Sequence, residues 1–280
     1  MLVLIVGWFG ARAASPTKPA DAVARLALIS DLHIRQATND SQVRAHQRLH
    51  QAIADVNASK VDLVLVAGDL TEHGRPDELR AFRDHMVAFD APVWYVPGNH
   101  DVGNKIIPNK TEKGPVSAWR VRFYESLLGP SFFARTHAGV RVIGINSPLI
   151  GTGFPQETKM WALLERELGA PTRLPTIAMI HFPPFSKTAD EPGGEYWNLE
   201  PDPRRRLIEL LKKAGVKTVL SGHLHRELIN RHDGILFLTT QPVSFGLSNA
   251  KQREGWMLIT VPREGPARFE FRKLAPDPRP

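Results

Sequence analysis

Short apolar, β-branched runs alternate with amphipathic helical patterns along most of this chain, and five runs are followed within three residues by Asp, Asn or His. The strand-like runs are Arg25–Ser30, Val61–Ala67, Pro92–Val96, Val140–Asn146, Thr176–Ile180 and Val216–Ser221. Several are apolar at consecutive positions, as in strands covered on both faces. Between them lie helix candidates at Gln42–Asn57, Pro76–Phe89, Val116–Leu128, Thr158–Leu168 and Pro203–Ala214. In the last, Asp202 reads as N-cap, Pro203 as first helical residue and Gly215 as stop. Ile235–Thr239, Trp256–Val261 and Arg268–Arg272 read as late strands without helices between them. The order predicts α/β layers around a strongly buried sheet, then a mostly β C-terminal part.

No linker-like change of composition interrupts the chain after its leader, which predicts one domain over residues 24–273. Met1–Gly10 is an apolar run followed by small residues, so residues 1–14 read as a signal peptide too short to span a membrane. That predicts a periplasmic or secreted protein with no transmembrane span in its mature form. The alternative is an apolar tail on a cytoplasmic protein, since no basic region precedes Leu2. The Pro-rich tail from Ala275 is expected to be disordered. Apolar residues make up 42% of the 280 and charged residues 23%, ordinary for a soluble domain.

The formal charge of +7 attracts anions in general, including phosphate esters and nucleic acid. Its Lys and Arg residues are scattered, so no dedicated nucleic-acid recognition is expected. Arg204–Arg206 fall on the last helix candidate and read as a solvated face. The oligomeric state is not legible. With no cysteine, any metal is held by His, Asp, Asn or Glu, which suits Mn, Fe or Zn.

Chemistry concentrates at the strand ends. Asp31 and His33 stand two residues apart, which in extended chain points both the same way. Asp69 closes a buried run; its carboxylate is costly there unless paired or metal-bound, and its two oxygens could bridge two cations. Gly98 permits a sharp turn, Asn99 offers a neutral oxygen ligand, and His100 then faces the substrate side. His181 ends another run, and His223 and His225 flank Leu224 as a second two-apart pair. Each piece alone also reads as a turn or an ordinary histidine. Together, at C-terminal strand ends where α/β sheets build their sites, they predict a two-metal centre. His46, His50, His85, His137 and His232 lie outside it and read as surface or structural. Two loops, Gly103–Gly114 and Phe182–Pro203, are long enough to suggest a role. The second carries Tyr196 and Trp197, candidates for the wall of a substrate cleft.

The ordered stretches SDLH (Ser30–His33), GDLTEHG (Gly68–Gly74), GNHD (Gly98–Asp101), His181 and GHLH (Gly222–His225) resemble the calcineurin-like metallophosphoesterase superfamily. The likeness spans about Arg25 to Phe271. More narrowly, GGEYWNLEP followed by a helix and GHLH resembles bacterial relatives of the calcineurin-like phosphoesterase-domain-containing protein phosphatases. The resemblance implies a four-layer sandwich of two mixed β-sheets flanked by helices. It implies one ion on Asp31, His33 and His225, a second on Asn99, His181 and His223, and Asp69 between them. The implied activity is two-metal hydrolysis of phosphate esters by activated water, with no covalent intermediate. Alternatives are a cyclic-nucleotide or other phosphodiesterase, and a non-catalytic metal-binding scaffold. His100 is implied as general acid, its ring hydrogen-bonded by Glu72 or Asp101. Glu72 stands where the purple acid phosphatases have tyrosine. His73 stands where the protein serine/threonine phosphatases have a phosphate-binding arginine, and is a candidate substrate contact.

Overall fold

The computed structural model describes residues 19–108, 110, 114–246 and 254–276. The expected signal segment 1–14 lies outside them. Eleven described strands form two mixed sheets. The first contains β1 (Ala22–Ile29), β2 (Leu63–Ala67), β3 (Val93–Val96), β10 (Gly255–Pro262) and β11 (Arg268–Lys273), in the order β11-β10-β1-β2-β3. Strands β1, β2 and β3 are mutually parallel, while β10 runs antiparallel to β1 and β11. The second sheet contains β4 (Phe133–His137), β5 (Val140–Ile145), β6 (Thr176–Ile180), β7 (Thr218–Ser221), β8 (Leu228–His232) and β9 (Ile235–Thr239). Its order is β4-β5-β6-β7-β9-β8, parallel from β5 through β9 and closed at each edge by an antiparallel strand.

Side chains alternate across a strand, so a run that is apolar at every position serves two layers. Leu26 and Leu28 of β1 and Leu63 and Leu65 of β2 meet Val140, Val142, Ile177, Met179 and Leu238 of the second sheet. The intervening Ala27, Ile29, Val64 and Val66 join the buried faces of the helices instead. These helices are α1 (Asp40–Ala58), α2 (Pro76–Met86), the single-turn α3 (Asn99–Val102), α4 (Ala118–Leu128), α5 (Pro155–Gly169) and α6 (Pro201–Lys213). The result is the expected four-layer arrangement. Each fully buried Leu or Ile contributes about 1.5–3 kcal/mol. No helix among the described residues is long and apolar enough to cross a membrane.

Local differences from the sequence reading have physical causes. β4 and β8 are edge strands with half-exposed, charged faces, so they lack the apolar run that marks the others. α6 begins with Pro201, not Pro203, at its first position, and Glu200, not Asp202, precedes it. The Glu200 carboxylate accepts from Gly194 N at 2.9 Å and from Lys105 Nζ at 3.0 Å, tying down the preceding loop. Arg204 does not join a solvated face: it is fully buried, with its guanidinium on the Glu191 carbonyl and 3.6 Å from the Glu191 carboxylate. Arg205 and Arg206 are exposed and pair with Asp202 and Glu165.

Candidate metal centre

Five parallel strands, β1, β2, β3, β6 and β7, point their C-terminal ends at one rim of the sandwich. The loops there continue the sheet as a hydrogen-bonded tier. Asp31 N donates to Gly68 O at 3.1 Å, Leu32 N to Asp69 O at 2.8 Å, and Gly222 N to His181 O at 3.1 Å. This tier brings all seven candidate ligands together. Ligand atoms of Asp31, His33, Asp69 and His225 lie within 4.8 Å of one another, as do those of Asp69, His181 and His223. Asp69 belongs to both groups. Asn99 Oδ1 joins the second at 3.1 Å from His181 Nε2.

The two-apart pairs do not lie in extended chain. Asp31 (φ 54°), His33 (47°), Asp69 (48°), His223 (71°) and His225 (48°) are all left-handed. The chain must turn back within one residue of each strand end to keep its ligands over the rim. Asp and His tolerate this region better than most residues. Close approach adds a second constraint: a Cβ on Gly98 would stand 2.1 Å from Asp69 Oδ1.

Protons cannot satisfy this cluster as neutral groups. His33 Nδ1 donates to Glu72 Oε2 (3.1 Å) and His225 Nδ1 to Phe245 O (2.8 Å), so both Nε2 atoms carry lone pairs. Those lone pairs face each other at 3.1 Å. His181 Nδ1 donates to Ala67 O at 2.7 Å, leaving its Nε2 facing Asn99 Oδ1 and, at 3.2 Å, Asp69 Oδ2. Asn99 Nδ2 donates to Tyr196 Oη (2.8 Å) and Asn104 Oδ1 (3.0 Å), which fixes the amide oxygen inward. His223 Nε2 is buried with no partner. Acceptors turned on acceptors, with a buried orphan nitrogen beside them, fit cations bound on both sides of Asp69.

Electrostatics agree. Burial opposes charge on Asp69, yet His181, His100 and His33 hold its carboxyl well below the usual range. Burial also opposes charge on His181, but Asp69 and Asp31 raise it to about 9. Burial and then the His181 charge push His223 down to about 3. Against burial, the neighbouring carboxylates thus favour charge on His181 and His225, whereas burial keeps His223 neutral.

The groups expected around His100 are arranged differently. The Glu72 carboxylate holds the His33 ring; His100 Nδ1 donates instead to the Glu72 backbone carbonyl at 2.8 Å. Asp101 does not reach the His100 ring. Its carboxylate accepts from Leu70 N (3.1 Å), Thr71 N (2.9 Å), Thr71 Oγ1 (2.8 Å) and Gly98 N (2.8 Å), stapling two ligand loops together. Burial and then Asp69 push Asp101 up to about 6. His100 N donates to Asp69 Oδ1 at 2.9 Å. The half-exposed His73 ring is held by Glu78 at 2.9 Å and lines a cleft with His100 and Tyr196. Tyr196 packs 4.8 Å from the His223 ring; Trp197 stands farther out at 6.1 Å and is exposed. Sequence reasoning missed Phe245, whose carbonyl fixes His225 and whose ring lies 4.8 Å from His33. It follows β9, and the signal was there: another buried run ending in the small-polar stretch Thr239–Ser244.

Comparison with known proteins identifies the family of the chain. Residues 24–227 match the family model described as calcineurin-like phosphoesterase. The serine/threonine-protein phosphatase CPPED1 of Danio rerio is 29% identical over 226 residues, covering 75% of this chain and 68% of the relative. A probable glycerophosphodiester phosphodiesterase GpdQ of Arcobacter nitrofigilis is 28% identical over 219 residues, covering 75% of each. Among solved structures, a dimetal phosphatase from Danio rerio shares the fold with a TM-score of 0.56 at 14% identity, covering 89% of this chain and 99% of that one. With the family model covering most of the chain and the ligand groups converging at one rim, this protein belongs to the calcineurin-like phosphoesterase family.

Proposed function

We propose that this metal-dependent phosphoester hydrolase works through two cations of the Mn, Fe or Zn class. Asp31, His33 and His225 would hold one, Asn99, His181 and His223 the other, and Asp69 both. The observation that carries the reading is the shared Asp69 among inward-facing lone pairs that neutral rings cannot reconcile. Two bound cations lower the pKa of an attacking water and neutralise charge that builds on the phosphoryl oxygens.

The protein's own groups do the rest. Glu72, Ala67 and Phe245 set the tautomers of His33, His181 and His225 before substrate arrives. His100 is anchored at N by Asp69 and at Nδ1 by the Glu72 carbonyl. Its Nε2 is therefore the atom that delivers a proton to the leaving oxygen. Tyr196 keeps the Asn99 amide turned so that its oxygen, not its nitrogen, faces the centre.

The test is hydrolysis of p-nitrophenyl phosphate and of its bis-ester by metal-stripped protein, with and without added Mn. Turnover should require metal and fall severely in Asp69→Asn and His100→Ala with the fold retained. Full activity in the stripped protein or in both variants overturns the reading.

A further inference from the structure

One charged side chain beside the centre has no role in holding it. Arg120 sits in the first turn of α4 and lines a cleft of about 240 Å³ together with His100, His73, Asn104 and Tyr196. Its backbone N is engaged by the Ser117 Oγ cap at 3.2 Å, and its guanidinium meets no partner among the described residues. No described acidic side chain lies within ion-pair distance of its guanidinium. A carboxylate does line the same cleft, that of Glu72, but it is turned to His33 at 3.1 Å and to Arg35 at 3.7 Å. The arginines in the last turns of α2 and α5, Arg83 and Arg166, are by contrast paired, with Asp84 and Glu167. Among the described residues, Arg120 is thus a cation without a partner in the wall that carries the leaving-group acid.

Position decides what it can bind. His100 delivers its proton to the leaving oxygen, so space beyond His100 belongs to the alcohol and not to the phosphoryl group. An unpaired guanidinium there suits an anion on that alcohol, because its fork of N–H donors matches a carboxylate or phosphate in two parallel bonds. His73 adds a further polar edge: Glu78 takes its Nδ1, leaving Nε2 toward the half-exposed side. Arg120 and His100 line the same small cleft, of about 240 Å³, which suits an anion carried close to the scissile oxygen and therefore a short alcohol.

We propose that Arg120 forms an anion subsite for the leaving group, making the preferred substrates short phosphate esters whose alcohol carries a carboxylate or second phosphate. The proposal rests on the assignment of His100 as the acid of a hydrolytic centre. It goes further in naming the substrate class and the residue that selects it.

The experiment compares 2-phosphoglycolate with 2-hydroxyethyl phosphate, which has nearly the same size and lacks the second charge. In metal-loaded wild-type protein, kcat/KM should favour phosphoglycolate. Arg120→Ala should cut that preference about tenfold, mostly through KM, as loss of a partly exposed charge-assisted pair does. Arg120→Lys should keep part of the preference, since the charge remains without the fork. Equal losses for both esters would place the guanidinium on the phosphoryl group and overturn the subsite, as would an unchanged ratio. Calorimetric binding of both esters to metal-loaded His100→Ala protein, with and without Arg120→Ala, decides the subsite independently of turnover. If wild-type protein cleaves p-nitrophenyl phosphate yet hydrolyses neither ester, the substrate class is overturned; if it cleaves none of the three while binding of phosphoglycolate still depends on Arg120, the hydrolase reading fails and the anion subsite alone stands.

Discussion

Replacing Glu72 by Ala should weaken metal binding while leaving the hold on His100 intact. The Glu72 carboxylate is 17% exposed and takes the Nδ1 proton of His33 at 3.1 Å. That bond keeps the His33 lone pair on Nε2, 3.1 Å from the lone pair of His225. Without it the ring can flip or shift its proton to Nε2, and the first ion loses a ligand. Outer groups of this kind are worth about 10–100-fold in metal affinity, equivalent to about 1.4–2.7 kcal/mol. Glu72→Gln retains an acceptor oxygen but no charge. A neutral hydrogen bond has roughly half the strength of a charge-assisted one, so the expected loss is the square root of the first, roughly 3–10-fold. The assay is calorimetric titration of Zn or Mn into metal-stripped protein, beside kcat at saturating metal. Because His100 is held by the Glu72 backbone carbonyl, its anchor survives in both variants, and kcat at saturating metal should fall far less than metal affinity. Wild-type affinity in Glu72→Ala would refute this. So would a severe loss of kcat at saturating metal with affinity unchanged, which would make the carboxylate the support of His100.

Gly98→Ala should abolish stoichiometric metal, read by elemental analysis, with circular dichroism retained: its Cβ would meet Asp69 Oδ1 at 2.1 Å and Asp69 N at 2.3 Å. Asp101→Asn should destabilise the metal-free protein by about 2–4 kcal/mol in urea, because an amide oxygen can serve only one of the two donor pairs and leaves the other facing an NH₂. The low end is favoured, since the substitution also removes a charge that burial and Asp69 both oppose. A midpoint unchanged from wild type would show that the staple contributes nothing. On the α1–α2 surface, burial and the charges of His46 and His50 lower the pKa of His85. Its folded pKa lies below the unfolded value near 6.5, so the unfolded state binds more protons and stability falls as pH drops below about 6.5. His85→Gln should therefore lose less Tm than wild type between pH 7.5 and 5.5, and equal losses would contradict it.

The sequence carried the layers and the ligands because both depend on residue type over short stretches. Leu26–Ile29 and Leu63–Ala67 can only be strands covered on both faces, and the structure covers them with a second sheet and with helices. The edge strands β4 and β8 were illegible, since an edge exposes charge and looks like loop. At the centre, the candidate ligands were legible as Asp, Asn and His at strand ends, and the structure groups them, whereas their hydrogen-bond partners were not legible. Glu72 offers both a carboxylate and a carbonyl, and only coordinates show that the first serves His33 and the second His100. Arg120 lies 20 residues past His100 with no motif around it, so its place in the cleft depends on how α4 packs on α2 and α3.

The left-handed ligands bear on why this cradle uses Asp and His at five positions. Each such residue costs of order 1 kcal/mol or more, so five cost roughly 5 kcal/mol, comparable with the whole stability of many domains. The cost is offset by the tier of inter-loop bonds, in which Asp31, Leu32, His33 and Ile34 each donate their backbone N–H to the Gly68–Leu70 segment. Asp31 returns the constraint by accepting from His223 N at 3.1 Å with both oxygens. Asp31, His33, Asp69 and His223 are therefore locked by partner loops that are themselves strained, and His225 by the Phe245 carbonyl. The geometry of the ligands is set by these bonds before any ion binds, so cations enter a site whose reorganisation has already been met by folding. A β-branched residue at any of the five would lose the ligand and also oppose the turn, which is why the chemistry and the backbone select the same two residue types there.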